Sequence, residues 1–467
     1  MPPTTVSAEP RARPRATRAL LATAAAVAAC AAWGAWLSYG GTRLHLDGGL
    51  ILTGSWHPRF PAFALVAIGL AVVFVRYAAE FTRRAAWGRL LVGSAAATAL
   101  WAVVVAATDG IGALSAPLTT RWEYLRDVHR VGELRPFLST FTEHVLGGSA
   151  GFQWVTHVSG HPPGALLVFT GLDRVGLGAP GWSAALCILA GASAVPAVLL
   201  TLRLLADETT ARAAAPFVAL APSVLWIATS ADALFLGVSA WGVCALAHAA
   251  SRHDRAGDLL AVGAGLLLGA TLFLSYGLTL MSVPAVAVVL GQRRVRPLLV
   301  AAPAVLAVIG AFAAEGFWWL DGLAIASERV REGPAWIDRP TAYFLVANLA
   351  ALAIAVGPAA VAGLASAGAG VRASAGAAGL ASAGAGARER LHGPLGRAVV
   401  LPAAALVAVL LACASNLSKG EVERIYLPFE LWLLTATAAL PPDRRRRWLA
   451  AQLALTLLVQ LTLELKW

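Results

Sequence analysis

The sequence predicts an all-α polytopic membrane protein with about thirteen transmembrane helices. Three observations carry that expectation. The 467 residues are 58% hydrophobic and only 13% charged, with mean hydropathy +0.71, too few charges to clothe a soluble surface. Apolar stretches recur along the chain at roughly the ~20 residues needed to cross a bilayer. Alternating polar and apolar strand patterns are scarce, which leaves self-satisfied helices as the spanning element. Abundant Ala and the 45 Gly suit close helix packing in lipid.

In order, the expected spans lie near 17–39, 60–79, 87–107, 183–204, 212–229, 232–250, 258–274, 276–291, 297–314, 342–364, 398–413, 425–440 and 447–465. Residues 1–16 form a basic cytoplasmic tail, and the membrane domain runs over 17–362. "VAAC", ending at Cys30, resembles a lipoprotein cleavage site, but the apolar run continues to Tyr39, so an uncleaved first span is expected. The Ala/Gly-rich stretch 363–397 contains a near repeat and reads as a flexible cytoplasmic linker. The last spans occupy 398–467.

Charge sets the expected orientation. With the N-terminus inside, the cytoplasmic segments carry 23 basic and 8 acidic residues, and the opposite face 13 and 16. The positive-inside rule therefore predicts a plasma-membrane protein with a cytoplasmic N-terminus and an external C-terminus. The net charge of +11 reflects this distribution and does not imply nucleic acid. Cys30, Cys187, Cys244 and Cys413 all sit in apolar runs, without metal spacing or a disulfide framework.

Two large loops then face outward, near 108–182 and 315–341, with a shorter one at 416–424. The first holds "RWEYLRDVHRVGEL", in which Glu123 and Asp127 are four apart and would share a helix face. Paired carboxylates raise one another's pKa toward a general base's range, whereas Arg121, Arg126 and Arg130 could simply neutralise them. His129 lies beside them. "HPPG" places His161 before two prolines at a helix start, where N–H groups attract anions; an ordinary interfacial helix start is the plainer account. "SKGEVERIYLPF" sets Lys419, Glu421, Glu423 and Arg424 at the outer end of a span. Lys419 and Lys466 are the only lysines. Cations there suit a lipid phosphate or an interface anchor. Glu430 within the span is expected to face a cavity or partner. Asp232 reads as a helix cap or a group pointing into the same cavity. Trp318, Trp319 and Trp336 fit an interfacial belt, and His45, Asp47 and His57 have no ligand spacing. Walker A, Rossmann, HExxH and GxSxG signatures are missing from any usable context.

An outer loop with acids, followed by His-Pro-Pro and an apolar helix, resembles the membrane-embedded GT-C glycosyltransferases, including protein O-mannosyltransferases and aminoarabinose transferases. The likeness covers Thr156 to Phe235, about a sixth of the chain; "RPTAYFLVANL" and "GEVERIYLPF" also look like segments of such proteins. The resemblance implies a GT-C-like fold with juxtamembrane helices in the large outer loop. It implies transfer of a sugar from a polyprenyl-phosphate donor in the membrane lipid to a saccharide, lipid or protein acceptor on the non-cytoplasmic face. It further implies Asp127 as general base with Glu123 second, and substrate contacts from His161, His129, Lys419, Arg424 and Glu421. No cofactor is assigned; a divalent cation could assist, but no carboxylate cluster demands one. The acidic loop follows the third expected span, where the family places it after the first. Adjacent paired acids are missing, and Gly164 stands where Leu is usual. The alternative is a transporter or flippase of a lipid-linked saccharide.

Overall fold

The computed structural model describes residues 13–147, 151–380 and 394–466. It is an all-α architecture. Among the described residues, nine helices are long and apolar enough to cross a membrane. The one sheet among them has two short strands: β1, Gly54–Trp56, pairs antiparallel with β2, Leu463–Leu465.

Nine of the expected thirteen spans fall on these helices. The other four expected spans coincide with shorter or broken elements. Expected span 212–229 is the helix Glu208–Ala219 followed by a 3-10 turn at Pro222–Trp226, because Pro222 cannot continue the helical hydrogen bonding. Span 276–291 starts as a 3-10 turn, and 425–440 is divided among three short helical pieces. Span 447–465 is the helix Arg445–Thr462, whose opening arginines and two glutamines dilute its hydropathy.

Side chains explain which helices face lipid. In Arg296–Ala314, Leu299 and Leu306 are 70% and 65% exposed, unfavourable in water and ordinary in hydrocarbon. The helix Asp232–Ser251 instead lies inside the bundle. There Gly237 meets Pro180–Leu205 so closely that a Cβ would sit 2.5 Å from the Ala190 carbonyl oxygen. Small residues thus let backbones approach where hydrophobic contrast with lipid is lost.

Interhelical ion pairs and arginine contacts lie at both ends of the bundle. At one end, Arg59 pairs with Asp109 at 2.7 Å, Lys466 with Asp47 at 2.8 Å, and His45 with Asp338 at 2.8 Å. At the other, Arg212 donates to the carbonyls of Thr82 and Ala85, and Arg296 meets Asp258 at 2.8 Å. The β1–β2 pairing brings the C-terminal strand to the first of these ends, beside the loop after helix Arg13–Tyr39.

The stretch expected as a linker is partly helical. Helix Thr341–Leu380 bends at Gly357, whose φ of 79° is followed by Pro358, and then runs through 363–380. Ala dominates there and favours helix. Residues 381–393 of the expected linker lie outside the described residues, as do 1–12 of the expected tail.

Candidate functional site

The loop between helices Trp87–Ala106 and Pro180–Leu205 is a succession of short turns. Glu123 has extended backbone, φ −94° and ψ 157°, just before the 3-10 turn Tyr124–Arg126. The His157 N–H donates to the Trp122 carbonyl at 3.0 Å, which holds this strand of loop open. Glu123 and Asp127 therefore do not share a helix face, contrary to the spacing argument. Each finds its own partner.

Asp127 is a structural clasp. It is buried, its Oδ2 accepts from the Val155 N–H at 2.8 Å, and its Oδ1 meets Arg130 Nε at 3.0 Å. Glu123 goes elsewhere: its Oε1 lies 2.9 Å from His157 Nδ1. On the other side of that ring, Arg424 Nη2 lies 2.8 Å from His157 Nε2. A guanidinium only donates, so Nε2 accepts and the ring proton belongs on Nδ1, where it is donated to Glu123. His157 is thereby a neutral imidazole between a carboxylate and a cation.

Arg424 draws in two more acids. Its Nη1 reaches Asp232 Oδ2 at 2.8 Å and its Nη2 reaches Glu421 Oε2 at 3.2 Å. Asp232 also accepts from the Ser230 hydroxyl at 2.7 Å. Burial works against the Arg424 charge, but Asp232, Glu421 and Glu123 outweigh it and raise its pKa, so it stays ionised. The side chains of Glu123, His157, Asp232 and Arg424 are each 7% exposed or less; that of Glu421 is 26% exposed. Four segments distant in sequence thus converge on one guanidinium. His157 was not among the candidate site residues, whereas Asp232 was expected as a helix cap or as a group pointing into the same cavity. The signal for His157 was its place four residues before His161, and for Asp232 a lone acid at a span end.

His161 lies beside this cluster. Its Nδ1 is 2.8 Å from the His157 carbonyl, so that nitrogen carries the proton and Nε2 keeps a lone pair. Burial pushes its pKa down to about 4, against the pull of Asp232. It is a neutral hydrogen-bonding group at the helix start. The helix that follows, Gly164–Leu172, begins against backbone: a Cβ on Gly164 would lie 2.4 Å from the Phe273 carbonyl oxygen. This explains glycine where leucine was expected.

Tyr124 packs against His157, His161 and Phe169 with ring centroids 6.2, 5.9 and 5.7 Å away. Its hydroxyl is buried without a hydrogen-bond partner. Burial and the neighbouring carboxylates Asp232 and Glu123 raise its pKa, so it remains a donor. Beyond Phe169 opens a cleft of about 420 Å³, lined by Arg126, His129, Asp173 and Pro180 among others. His129 is exposed there and makes no contact with Arg424. Among the described residues no group of three His, Cys, Asp or Glu is placed to hold a metal ion.

Lys419 is buried too, but its Nζ donates to the carbonyls of Trp336 at 2.8 Å and Arg339 at 2.9 Å and lies 4.0 Å over the Trp336 ring. It holds the second large loop rather than sharing the Arg424 carboxylates. Arg339, which sequence reasoning missed, is equally buried and donates to the backbone of Leu44, His45 and Lys419. Glu423 accepts from the Thr53 N–H at 2.9 Å, while its Oε2 is buried without a partner.

No family model and no curated protein matches the sequence. Among solved structures the chain resembles the Archaeoglobus fulgidus oligosaccharyltransferase, solved with Zn and sulfate, at 15% identity and TM-score 0.40. That alignment covers 76% of this chain and 53% of the other. It also resembles the oligosaccharyltransferase AglB of the same organism, solved with an inhibitory peptide and a dolichol-phosphate, at 14% identity and TM-score 0.38, over 74% and 50%. The chain spans about half the length of these proteins. The likeness is one of general helical arrangement.

Proposed function

We propose that this chain is a GT-C-type membrane glycosyltransferase that moves a sugar from a polyprenyl-phosphate carrier to an acceptor at the non-cytoplasmic face. The observation that supports it is the convergence of Glu123, His157, Asp232 and Glu421 on buried Arg424 at one end of the bundle. Buried ionised groups are expensive and gather where charge must be handled. The orientation follows from the charge asymmetry of the loops.

In this reading Arg424 turns toward the phosphate of the donor and stabilises the charge that develops there. That movement frees His157 Nε2. The acceptor oxygen attacks the anomeric carbon, the bond from that carbon to the phosphate oxygen breaks, and its electron pair leaves on polyprenyl phosphate. The acceptor proton passes to His157 Nε2, and Glu123 stabilises the imidazolium through Nδ1–H. Asp127, first choice as base from the sequence, keeps its structural role.

A second reading, transport of a lipid-linked saccharide, draws on Glu430. It is fully buried in helix Leu427–Leu434, and neither carboxyl oxygen has a hydrogen-bond partner; intramembrane acids of this kind mark translocation paths. The test is a panel of radiolabelled polyprenyl-phosphate sugars offered to the purified protein in proteoliposomes with membrane acceptors. Transfer of label from one donor supports the enzyme. Movement of a lipid-linked saccharide across the bilayer, with no transfer from any donor, supports the transporter and ends the first reading.

A further inference from the structure

Glu421 is the one member of the cluster that solvent reaches, and its position is unusual. Its carboxylate lies between two buried guanidinium groups, 3.2 Å from Arg424 and 3.8 Å from Arg339. Arg424 and Arg339 belong to loops 85 positions apart, and Glu421 is the side chain that joins them. Its backbone is left-handed, φ 61°, immediately after Gly420 at φ 85°. A non-glycine residue rarely rests there and tends to do so at functional sites. Gly420 is itself hemmed in: a Cβ would approach Leu46 to 2.9 Å and Phe344 to 3.1 Å.

The two arginines differ in what they have left to offer. Arg339 Nε, Nη1 and Nη2 each donate to a backbone carbonyl, which fixes the plane of the guanidinium. A guanidinium carries five N–H donors, so Arg339 is held rigid and keeps donor capacity facing Glu421. Burial opposes ionisation of Glu421, but Arg424, Arg339 and His157 outweigh it and hold its carboxyl below the usual range. A half-exposed anion therefore occupies a preformed, two-armed cationic site.

We infer that Glu421 occupies, as an internal stand-in, the subsite where Arg424 and Arg339 bind a phosphate anion, and that ligand binding displaces its carboxylate. This rests on the glycosyltransferase reading for the identity of the anion as a lipid phosphate. It adds a second arm, Arg339, and makes Glu421 a competitor of the ligand instead of a contact to it. A carboxylate and a phosphate oxygen present the same acceptor geometry to a guanidinium fork. Swinging Glu421 into solvent needs only rotation at a position already near the surface and adjacent to a glycine. Because Arg339 also grips the backbone of Leu44, His45 and Lys419, the displaced state leaves those loops in place.

The experiment measures binding of polyprenyl monophosphate to the full chain in nanodiscs, and separately of inorganic phosphate, for wild type, Glu421→Gln and Glu421→Asp. The neutral amide removes the resident anion and leaves both arginines. Glu421→Gln is expected to bind polyprenyl monophosphate at least about tenfold more tightly than wild type, with Glu421→Asp close to wild type. Tighter binding of inorganic phosphate as well identifies a general anion subsite and supports the inference; tightening for the lipid alone supports it with the lipid phosphate as ligand. Unchanged or weaker binding by folded Glu421→Gln, while wild type binds polyprenyl monophosphate, overturns the inference and leaves the glycosyltransferase reading standing. Failure of every form to bind polyprenyl monophosphate, with Glu421→Gln still gaining inorganic phosphate, removes the lipid donor and keeps the anion subsite. Failure of all three forms with both probes overturns both. Thermal unfolding of each variant without ligand checks that the chain is folded.

Discussion

Arg424 and Arg339 are both buried, both at the same end of the bundle, and held by different chemistry. Arg424 is met by side chains: Asp232, Glu421 and the Glu123-bound imidazole of His157. Arg339, with Lys419 beside it, is met by the backbone: the carbonyls of Leu44, His45 and Lys419 for one, of Trp336 and Arg339 for the other. Backbone carbonyls cannot leave without moving a loop, so Lys419 is a clasp, and Arg339 is a guanidinium fixed by the same means whose remaining donor capacity faces Glu421. Carboxylates and imidazoles rotate, exchange protons and yield to a competing anion, so the Arg424 cluster is suited to chemistry. The same residue type serves architecture or reaction according to its acceptors.

The largest expected effect comes from removing the centre of the cluster. Arg424→Gln strips the counter-charge from buried Asp232 and from Glu421, and breaking such a group typically costs about 3–5 kcal/mol. Thermal unfolding in nanodiscs should show that loss, together with abolished sugar transfer. A loss below ~1 kcal/mol would mean that the carboxylates are not held by Arg424. Lys419→Met attacks the clasp. Losing two charge-assisted hydrogen bonds should lower stability by about 2–3 kcal/mol, while transfer per folded molecule stays within about threefold. Limited proteolysis in the loop near 315–341 would register the loosening.

A pH experiment sharpens the comparison next. The His161 pKa is about 4 in the folded chain, below its ordinary value near 6.5. The native state therefore binds fewer protons than the unfolded chain between these limits. Its contribution is present above about pH 6.5 and is lost as pH falls toward 4, on the order of 3 kcal/mol. Unfolding of His161→Gln, compared with wild type across that window, should show a shallower acid decline; parallel curves would contradict the neutral imidazole. The smallest effect is expected for Asp127→Asn. The amide oxygen still accepts from Val155, but the amide NH2 cannot accept from Arg130, so that pair is lost, which at a partly exposed arginine is worth about 1 kcal/mol. Transfer should be close to wild type, in contrast to the role that the sequence suggested.

The membrane-spanning helices were legible because hydrocarbon imposes one strong requirement, a long apolar run. The helix Asp232–Ser251 was expected at 232–250, and Trp87–Ala106 at 87–107. Elements interrupted by proline or diluted by arginine were harder, as at Pro222 and Arg445, since hydropathy averages over the break. The site was legible by region and not by residue. Glu421 and Arg424 were singled out as charges at the outer end of a span, and Glu123 as half of a carboxylate pair in the large outer loop. His157 was missed because its role depends on a hydrogen bond to a residue 267 positions away, which no local spacing encodes. The shared helix face expected for Glu123 and Asp127 was misread because a helical period was assumed where the loop is a run of tight turns.

The most direct measurement compares Glu123→Gln with Lys419→Met in one transfer assay from polyprenyl-phosphate sugar, each normalised to folded protein. The account predicts a fall of at least about 100-fold for Glu123→Gln and near-wild-type turnover for Lys419→Met. Equal turnover by the two variants, or the reverse order, would contradict the division between a reacting cluster and a structural clasp.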